Sequence, residues 1–398
     1  MLAFVLAAAS ALTPRPPSRV VRHTRLPVWP AWQGLPLVLA SQVPALRGLA
    51  DRLEDAFGGR VCPMQFDADD ADPFVLLVHH RHSFRPFDFF RPLFSAVIMP
   101  EGFPAHPHRG FETVTYVLPG RAGLTHRDSV GCKMRYGDGS VQWMTAGRGL
   151  LHEEMWDTER GTDHELYQLW LNLPPRAKLV PPRVQLLEPS APTSQRREPP
   201  AVVEREGGTR VRRAPIREDV LDGGAVHVRT LAAGVDTPPG EAPPAEGAET
   251  YSPVRIEHVE LHGEGATHTM PLPDGWTCIV YVRRGAVSFG GGGGDASEPT
   301  PMYNTVYFPR HGGDCLEVRN AQAGGKSSDV LILSGEPLNA PIASSGTFVM
   351  NTEAELQRAT ADYQLGAFGI PWEPSLPDDE WVELCESRGP GRRRGPSV

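Results

Sequence analysis

Cysteine is scarce in this 398-residue chain: Cys62, Cys132, Cys278, Cys315 and Cys385 are widely spaced and form no CxxC pair. A disulfide-stapled module and a zinc knuckle are therefore excluded. The longest apolar run, Leu2 to Leu12, covers 11 residues with Ser10 inside it, too short to cross a bilayer. No membrane partner is expected. Positive charge is in deficit, with 39 Lys and Arg against 48 Asp and Glu and a net charge of -9, so general attraction to a phosphate backbone is absent and no direct nucleic-acid partner is expected. Acidic residues are missing altogether before Asp51, a stretch that holds Arg15, Arg19, Arg22 and Arg25.

That acid-free beginning reads as a targeting leader. An apolar stretch ending in Ala9-Ser10-Ala11 has the form of a secretory signal, and the Arg-bearing segment behind it has the form of an organelle transit peptide. Together they predict delivery to an organelle, a plastid in first place, with cytoplasm or nucleus as the alternative. Residues 1–58 are accordingly expected to be leader or flexible N-terminus, and the fold to begin near Gly59.

Glycine and proline, 41 of each, are abundant and punctuate short apolar runs. Phe74–Val78, Thr113–Leu118, Val141–Met144 and Leu166–Leu173 come first, and Thr113-Val-Thr-Tyr-Val-Leu118 has the β-branched and aromatic composition of a strand. A second series follows, through Ala225–Leu231, Val254–Leu261, Thr277–Val282, Ala286–Phe289, Thr305–Phe308, Cys315–Val318 and Val330–Leu333. Eight prolines between Pro174 and Pro200 separate the two series and disfavour helix or central strand there. The expectation is an all-β protein with an N-terminal domain over 59–185, a Pro-rich linker over 186–208 and a C-terminal domain over 209–352. Beyond it, Thr352-Glu353-Ala354-Glu355 has the form of a capping box and predicts one terminal helix, Glu353 to Gln364, before a disordered tail that completes 353–398.

Metal-ligand chemistry concentrates in His106-Pro107-His108-Arg109-Gly110-Phe111-Glu112 and in His152-Glu153-Glu154. Alternation along a strand puts His106 and His108 on one face, and likewise His152 and Glu154, with Glu153 turned away. Three imidazoles and a carboxylate suit a borderline divalent metal such as iron and leave coordination positions open. Parity permits Glu112 as well, as a ligand or as a hydrogen-bond partner of a ligand. The C-terminal half offers His268 alone in the corresponding region, which predicts a barrel without a metal site.

His106-Pro-His-Arg-Gly-Phe-Glu-Thr-Val114, His126-Arg-Asp-Ser-Val-Gly131, Gln142 through Met155 and Gln168-Leu-Trp-Leu-Asn-Leu173 resemble the pirin family of the cupin superfamily. The resemblance runs from about Asp72 to Gly369. It implies two cupin-type antiparallel β-barrels, a bicupin, with one mononuclear iron in the first, held by His106, His108, His152 and Glu154. It favours Glu154 over Glu112 as the ligand, and it implies quercetin 2,3-dioxygenase-type chemistry with a flavonol-like molecule and dioxygen as partners and Glu154 or Glu112 taking a proton. A non-catalytic, iron- or redox-dependent regulatory or interaction protein, of the transcription co-regulator kind, is the alternative that the family also implies. Two features stand apart. His126 and Asp128 are expected in a barrel-wall hydrogen-bond network, and Val78 through Met99, with His79, His80, His82, Phe84, Phe87, Phe89, Phe90 and Phe94, reads as a flap closing the barrel or a lid over the site.

Overall fold

The computed structural model describes residues 12–28, 43–46, 59–83, 102–159, 163–189, 201–204, 211–234, 244–290 and 296–390. The phenylalanine-rich part of the flap, most of the Pro-rich linker and the final tail lie outside the described residues. The strands follow the apolar runs closely: Phe74–Ser83, Phe111–Val117, Val141–Thr145 and Asp163–Asn172 in the first half, Val226–Ala233, Val254–Leu261, Thr277–Arg284, Asn304–Phe308 and Ser328–Gly335 in the second. Among the described residues these belong to one 14-stranded sheet.

That sheet winds round a single apolar cluster. Met64, Phe74, Val114, Trp143, Leu169, Leu187, Ile216, Ile256, Ile279, Tyr281 and Leu333, from both halves of the chain, meet in it. The other face of the sheet serves two barrels. A five-stranded sheet, which includes Gly102–His108, Leu124–Asp128 and Leu150–Trp156, closes the N-terminal barrel; a four-stranded sheet, which includes Thr267–Pro271 and Cys315–Asn320, closes the C-terminal one. The central strands are thus buried on both faces, which is why their sequences read as nearly continuous apolar runs rather than a polar alternation. The C-terminal barrel is filled by Val228, Val259, Met270, Val280, Phe289, Val318 and Ile332.

Three segments depart from expectation. Arg183–Pro189, within the stretch whose prolines predicted a linker from residue 186, is a strand that pairs in parallel with Arg212–Leu221 and so carries the sheet from one half to the other. Its prolines sit at and just before its ends, at positions 181, 182 and 189, where no ladder is broken. Among its described residues the C-terminal segment has two helices, Glu353–Gln364 with the capping box at Thr352 and a further one, Asp378–Arg388. Both pack Leu356, Ala359, Trp381 and Cys385 around Leu151 and Phe348, on the outer face of the five-stranded sheet.

The third departure is the N-terminus. Arg19–Arg22 pairs with Asn304–Phe308 and Leu26–Val28 pairs with Gly59–Gln65, so residues expected to be flexible form the two end strands of the 14-stranded sheet. Only His23 to Arg25 separate them, a span of roughly 14 Å at most, so this short piece of chain stitches one end of the sheet to the other. Just before it, the fully buried Arg15 guanidinium donates to the carbonyls of Leu272, Pro273, Trp276, Pro309 and Gly313 at 2.9–3.4 Å. Composition made this region look like leader; five carbonyls aimed at one cation make it part of the fold.

A charged hydrogen bond contributes about 1.5–3 kcal/mol. Arg15→Ala is therefore expected to lower stability by at least about 2 kcal/mol in equilibrium denaturation, and a chain starting at Gly59, with both sheet ends uncovered, to be less stable still and prone to association. Unchanged denaturation midpoints in both would contradict the strap assignment.

Candidate metal centre in the N-terminal barrel

Gly102–His108 is the edge strand of the five-stranded sheet and lies beside Leu150–Trp156. Edge position explains how it tolerates Pro104 and Pro107. The register places His152 opposite His106 and Leu150 opposite His108, and a bulge then sets Glu154 opposite Phe103. A sharp turn at Gly110, with φ +85°, sends the chain into Phe111–Val117; a side chain there would collide with the Val349 carbonyl, so only glycine fits.

The result is a convergence of His106, His108 and His152, with one ring nitrogen of each lying within 4.8 Å of the others. Hydrogen bonding decides which nitrogens carry protons. His106 Nδ1 donates to the Pro104 carbonyl at 2.8 Å, leaving a lone pair on Nε2. The Asp128 carboxylate faces His126 Nε2 at 3.1 Å and makes that nitrogen the protonated one; His126 Nδ1 is then an acceptor, with Gln142 Nε2 and His152 Nδ1 each 3.4 Å away. With its Nδ1 donating there, His152 presents a lone pair on Nε2. The two Nε2 atoms are 3.1 Å apart. Two lone pairs aimed at each other across that distance repel, unless a cation lies against them.

Burial keeps all three rings neutral. It holds His108 and His152 well below the ordinary histidine range, reinforced at His108 by His106 and at His152 by its three histidine neighbours. Burial also lowers His106, against the opposing pull of its bond to Pro104 and of the nearby Glu154 charge. At His108 a backbone hydrogen bond to Thr347 opposes the shift without reversing it. Three neutral imidazoles with inward lone pairs fit a divalent metal ion.

Glu154 turns into the barrel beside the histidines, outside the group of three whose nitrogens meet. Its Oε1 accepts from Thr115 Oγ1 at 2.9 Å and Tyr136 Oη at 2.8 Å, and its Oε2 accepts from Gln168 Nε2 at 2.9 Å. Glu153 points away and pairs with Arg127 at 2.5 Å, beneath Trp381 of the terminal helix. Phe111 and Trp170, from the facing sheet, stand edge-on to His108 with ring centroids 5.1 and 5.7 Å away. His106, Gln168 and Trp170 are the partly exposed members of the site, which marks its open side.

Glu112 is elsewhere. Its strand begins anew after the turn at Gly110, so the even spacing from His106 and His108 carries no information about its direction. Thr113 and Thr115 share the parity that faces the site, whereas Glu112 shares that of Val114 and Tyr116 and lies on the opposite face of the sheet. There it accepts from Thr145 Oγ1 at 2.5 Å, and Arg183 Nε donates to the same hydroxyl at 3.3 Å; burial pushes its carboxyl up. Neither a ligand role nor a supporting hydrogen bond is within its reach.

The other expected residues divide. His126 and Asp128 form the relay just described, which the sequence hinted at only as a wall network. His79 points between the barrels, to Glu165 and to Tyr281, both at 3.0 Å. His80 and His82 turn into the N-terminal barrel and meet Trp156 and Phe103 at its far end. His268 bonds to Glu257 at 2.9 Å. Lys178 had no sequence signal; its buried ammonium donates to Gly110, Asn172 and Val349 and ties the ligand-bearing turn to the C-terminal segment.

Known proteins of the same kind bear on this arrangement. The Pirin family model matches residues 59–171, and the model of the Pirin C-terminal cupin domain matches residues 258–369. A pirin-like protein of Solanum lycopersicum is 34% identical over 277 residues, covering 69% of this chain and 79% of its own length. Pirin of Homo sapiens is 34% identical over 265 residues, covering 67% and 77%. The crystal structure of a quercetin 2,3-dioxygenase from Acinetobacter baumannii superposes with a TM-score of 0.61 at 28% identity, over 89% of this chain and 99% of that one. With family models matching both barrels and relatives 34% identical over two thirds of its length, the chain belongs to the pirin family and has its all-β bicupin fold.

Proposed function

We propose that this protein is an iron-dependent oxygenase that cleaves flavonol-type substrates. The observation that carries the reading is the convergence of His106, His108 and His152, with the Nε2 atoms of His106 and His152 3.1 Å apart. The likeness to a quercetin 2,3-dioxygenase supports the substrate class. His106, His108 and His152 would hold the ion, with Glu154 beside them. Iron bound there supplies Lewis acidity toward the adjacent hydroxyl and keto oxygens of a flavonol and a one-electron route to dioxygen.

The chain's own groups divide the remaining tasks. Glu154 takes the proton of the flavonol hydroxyl on Oε2, which has one donor, Gln168, against two on Oε1. Tyr136, Thr115 and Gln168 hold that carboxylate in place, and Asp128, through His126, keeps His152 in the tautomer that presents Nε2. Phe111 and Trp170 provide aromatic faces for a flat polycyclic substrate and keep water from the inner wall. The overall change is insertion of both atoms of dioxygen into the heterocycle with loss of one carbon as carbon monoxide.

Residues 13–28 are built into the fold, Thr13 itself through its N–H to Asp314 at 2.6 Å. We propose that the targeting signal for a plastid lies before that point, in residues 1–11.

Three outcomes follow from this reading. His106→Ala and His152→Ala are each expected to lose the barrel's metal by elemental analysis, Glu154→Gln to weaken it, and Glu112→Gln to retain it at the wild-type level; loss in Glu112→Gln alone would reverse the assignment. The iron-loaded wild type should consume quercetin and dioxygen in equal amounts and release carbon monoxide, with Glu154→Gln at least about tenfold slower. Full iron occupancy with no turnover would instead favour the non-catalytic regulator. A fluorescent protein fused behind residues 1–50 should reach an organelle, and diffuse cytosolic or nuclear signal would contradict the leader.

A further inference from the structure

The C-terminal barrel has a second meeting of metal-ligand side chains, away from its core. Val226, Val228, Val259 and Leu261 turn inward. By alternation His227, Glu260 and His262 share the opposite face of the same two-strand ladder. His227 stands directly opposite Glu260 in register, and His262 follows two residues on, its backbone N–H fixed to the Ala225 carbonyl at 2.7 Å. One nitrogen of each histidine and one Glu260 oxygen lie within 4.8 Å of one another, and all three residues are partly exposed. The two rings are 4.8 Å apart, against 4.5–4.8 Å among the three histidines of the barrel centre.

Four groups of such side chains occur among the described residues, and hydrogen bonding separates them. In the group of His126, Asp128 and Cys132, Asp128 is already occupied by His126 and by the N–H groups of Val130 and Cys132. In that of His258, Glu260 and Asp329, Tyr116 holds one ring nitrogen, Asp329 the other, and Arg283 is bound to Asp329. These two are spent. At the remaining group, His262 Nδ1 is held by Ser327 Oγ at 2.9 Å, which leaves Nε2 for a ligand. Arg229 takes Oε2 of Glu260 at 3.2 Å, which leaves Oε1, and the described residues give His227 no hydrogen bond. Arg229 is itself paired with Glu218 at 3.0 Å, so its one positive charge is shared between two carboxylates.

We propose that His227, Glu260 and His262 form a second metal site, open to solvent, for a divalent cation of the zinc class. Two imidazoles and one carboxylate are a borderline donor set, and water completes the coordination. Ser327 and Arg229 orient the ligands from behind. This site is independent of the oxygenase reading, shares no residue with the barrel centre and needs no change in the fold to accept its ion.

The test uses the untagged full-length chain, stripped of metal and titrated with Co2+ while its visible absorption is followed, then with Zn2+ in competition with a chromophoric chelator. Two equivalents are expected. His227→Ala and His262→Ala should each remove one equivalent, a loss greater than the roughly 10- to 100-fold in affinity that a change behind the ligands causes, and should keep the wild-type thermal midpoint. His152→Ala should remove the other equivalent and leave this one. Ser327→Ala should weaken the site by about tenfold. Identical titrations for wild type, His227→Ala and His262→Ala would overturn the proposal, as would a second equivalent that binds only at millimolar metal.

Discussion

The central strands of the 14-stranded sheet are buried on both faces, because the sheet winds round one apolar cluster and carries a barrel on the back of each half. Along those strands alternation decides the role of each residue: one parity packs the shared cluster, the other fills a barrel. The site follows from this constraint. Gln168 and Trp170 turn into the metal-bearing barrel while Tyr167, Leu169 and Leu171 on the same strand pack the shared cluster. The same rule sends Glu112 away from the site and Thr115 toward it.

Polar groups inside such a structure must be paired, and most are. Between the barrels, Tyr116, His258, Asp329, Arg283, Glu165 and His79 form a continuous buried network. Burial opposes ionisation of Asp329, yet His258 and Arg283 outweigh it and hold its carboxyl far below the usual range. Glu165 is depressed by His79 and Arg283 against the same opposition. Such a network welds the two halves together. The metal centre is the contrasting case, where buried imidazoles are brought together with the inward nitrogens of His106 and His152 only 3.1 Å apart. An arrangement so costly in a closed interior is retained where an ion makes it favourable.

Much of this was legible in the sequence. Short apolar runs bounded by Gly and Pro gave the strand positions, since a doubly buried strand is apolar throughout, and the capping box at Thr352 located a helix from four residues. The two histidine motifs located the centre because ligands on adjacent strands need only alternation to converge. What stayed hidden depended on distant partners. Arg15 looks like leader chemistry until five carbonyls from residues 272–313 surround it. Arg183–Pro189 looks like linker because its prolines are counted and not placed. Glu112 looks eligible because parity was carried through Gly110, where the chain turns. His227, Glu260 and His262 form no motif at all, being brought together by strand register.

The central claim is that an ion belongs against the inward nitrogens of His106, His108 and His152. Crystals of the full-length chain grown with Fe(II) and measured on either side of the iron absorption edge test it most directly. The account predicts an anomalous peak bounded by His106 Nε2, His152 Nε2 and a ring nitrogen of His108. Iron present in the crystals with no anomalous density at that point would contradict it.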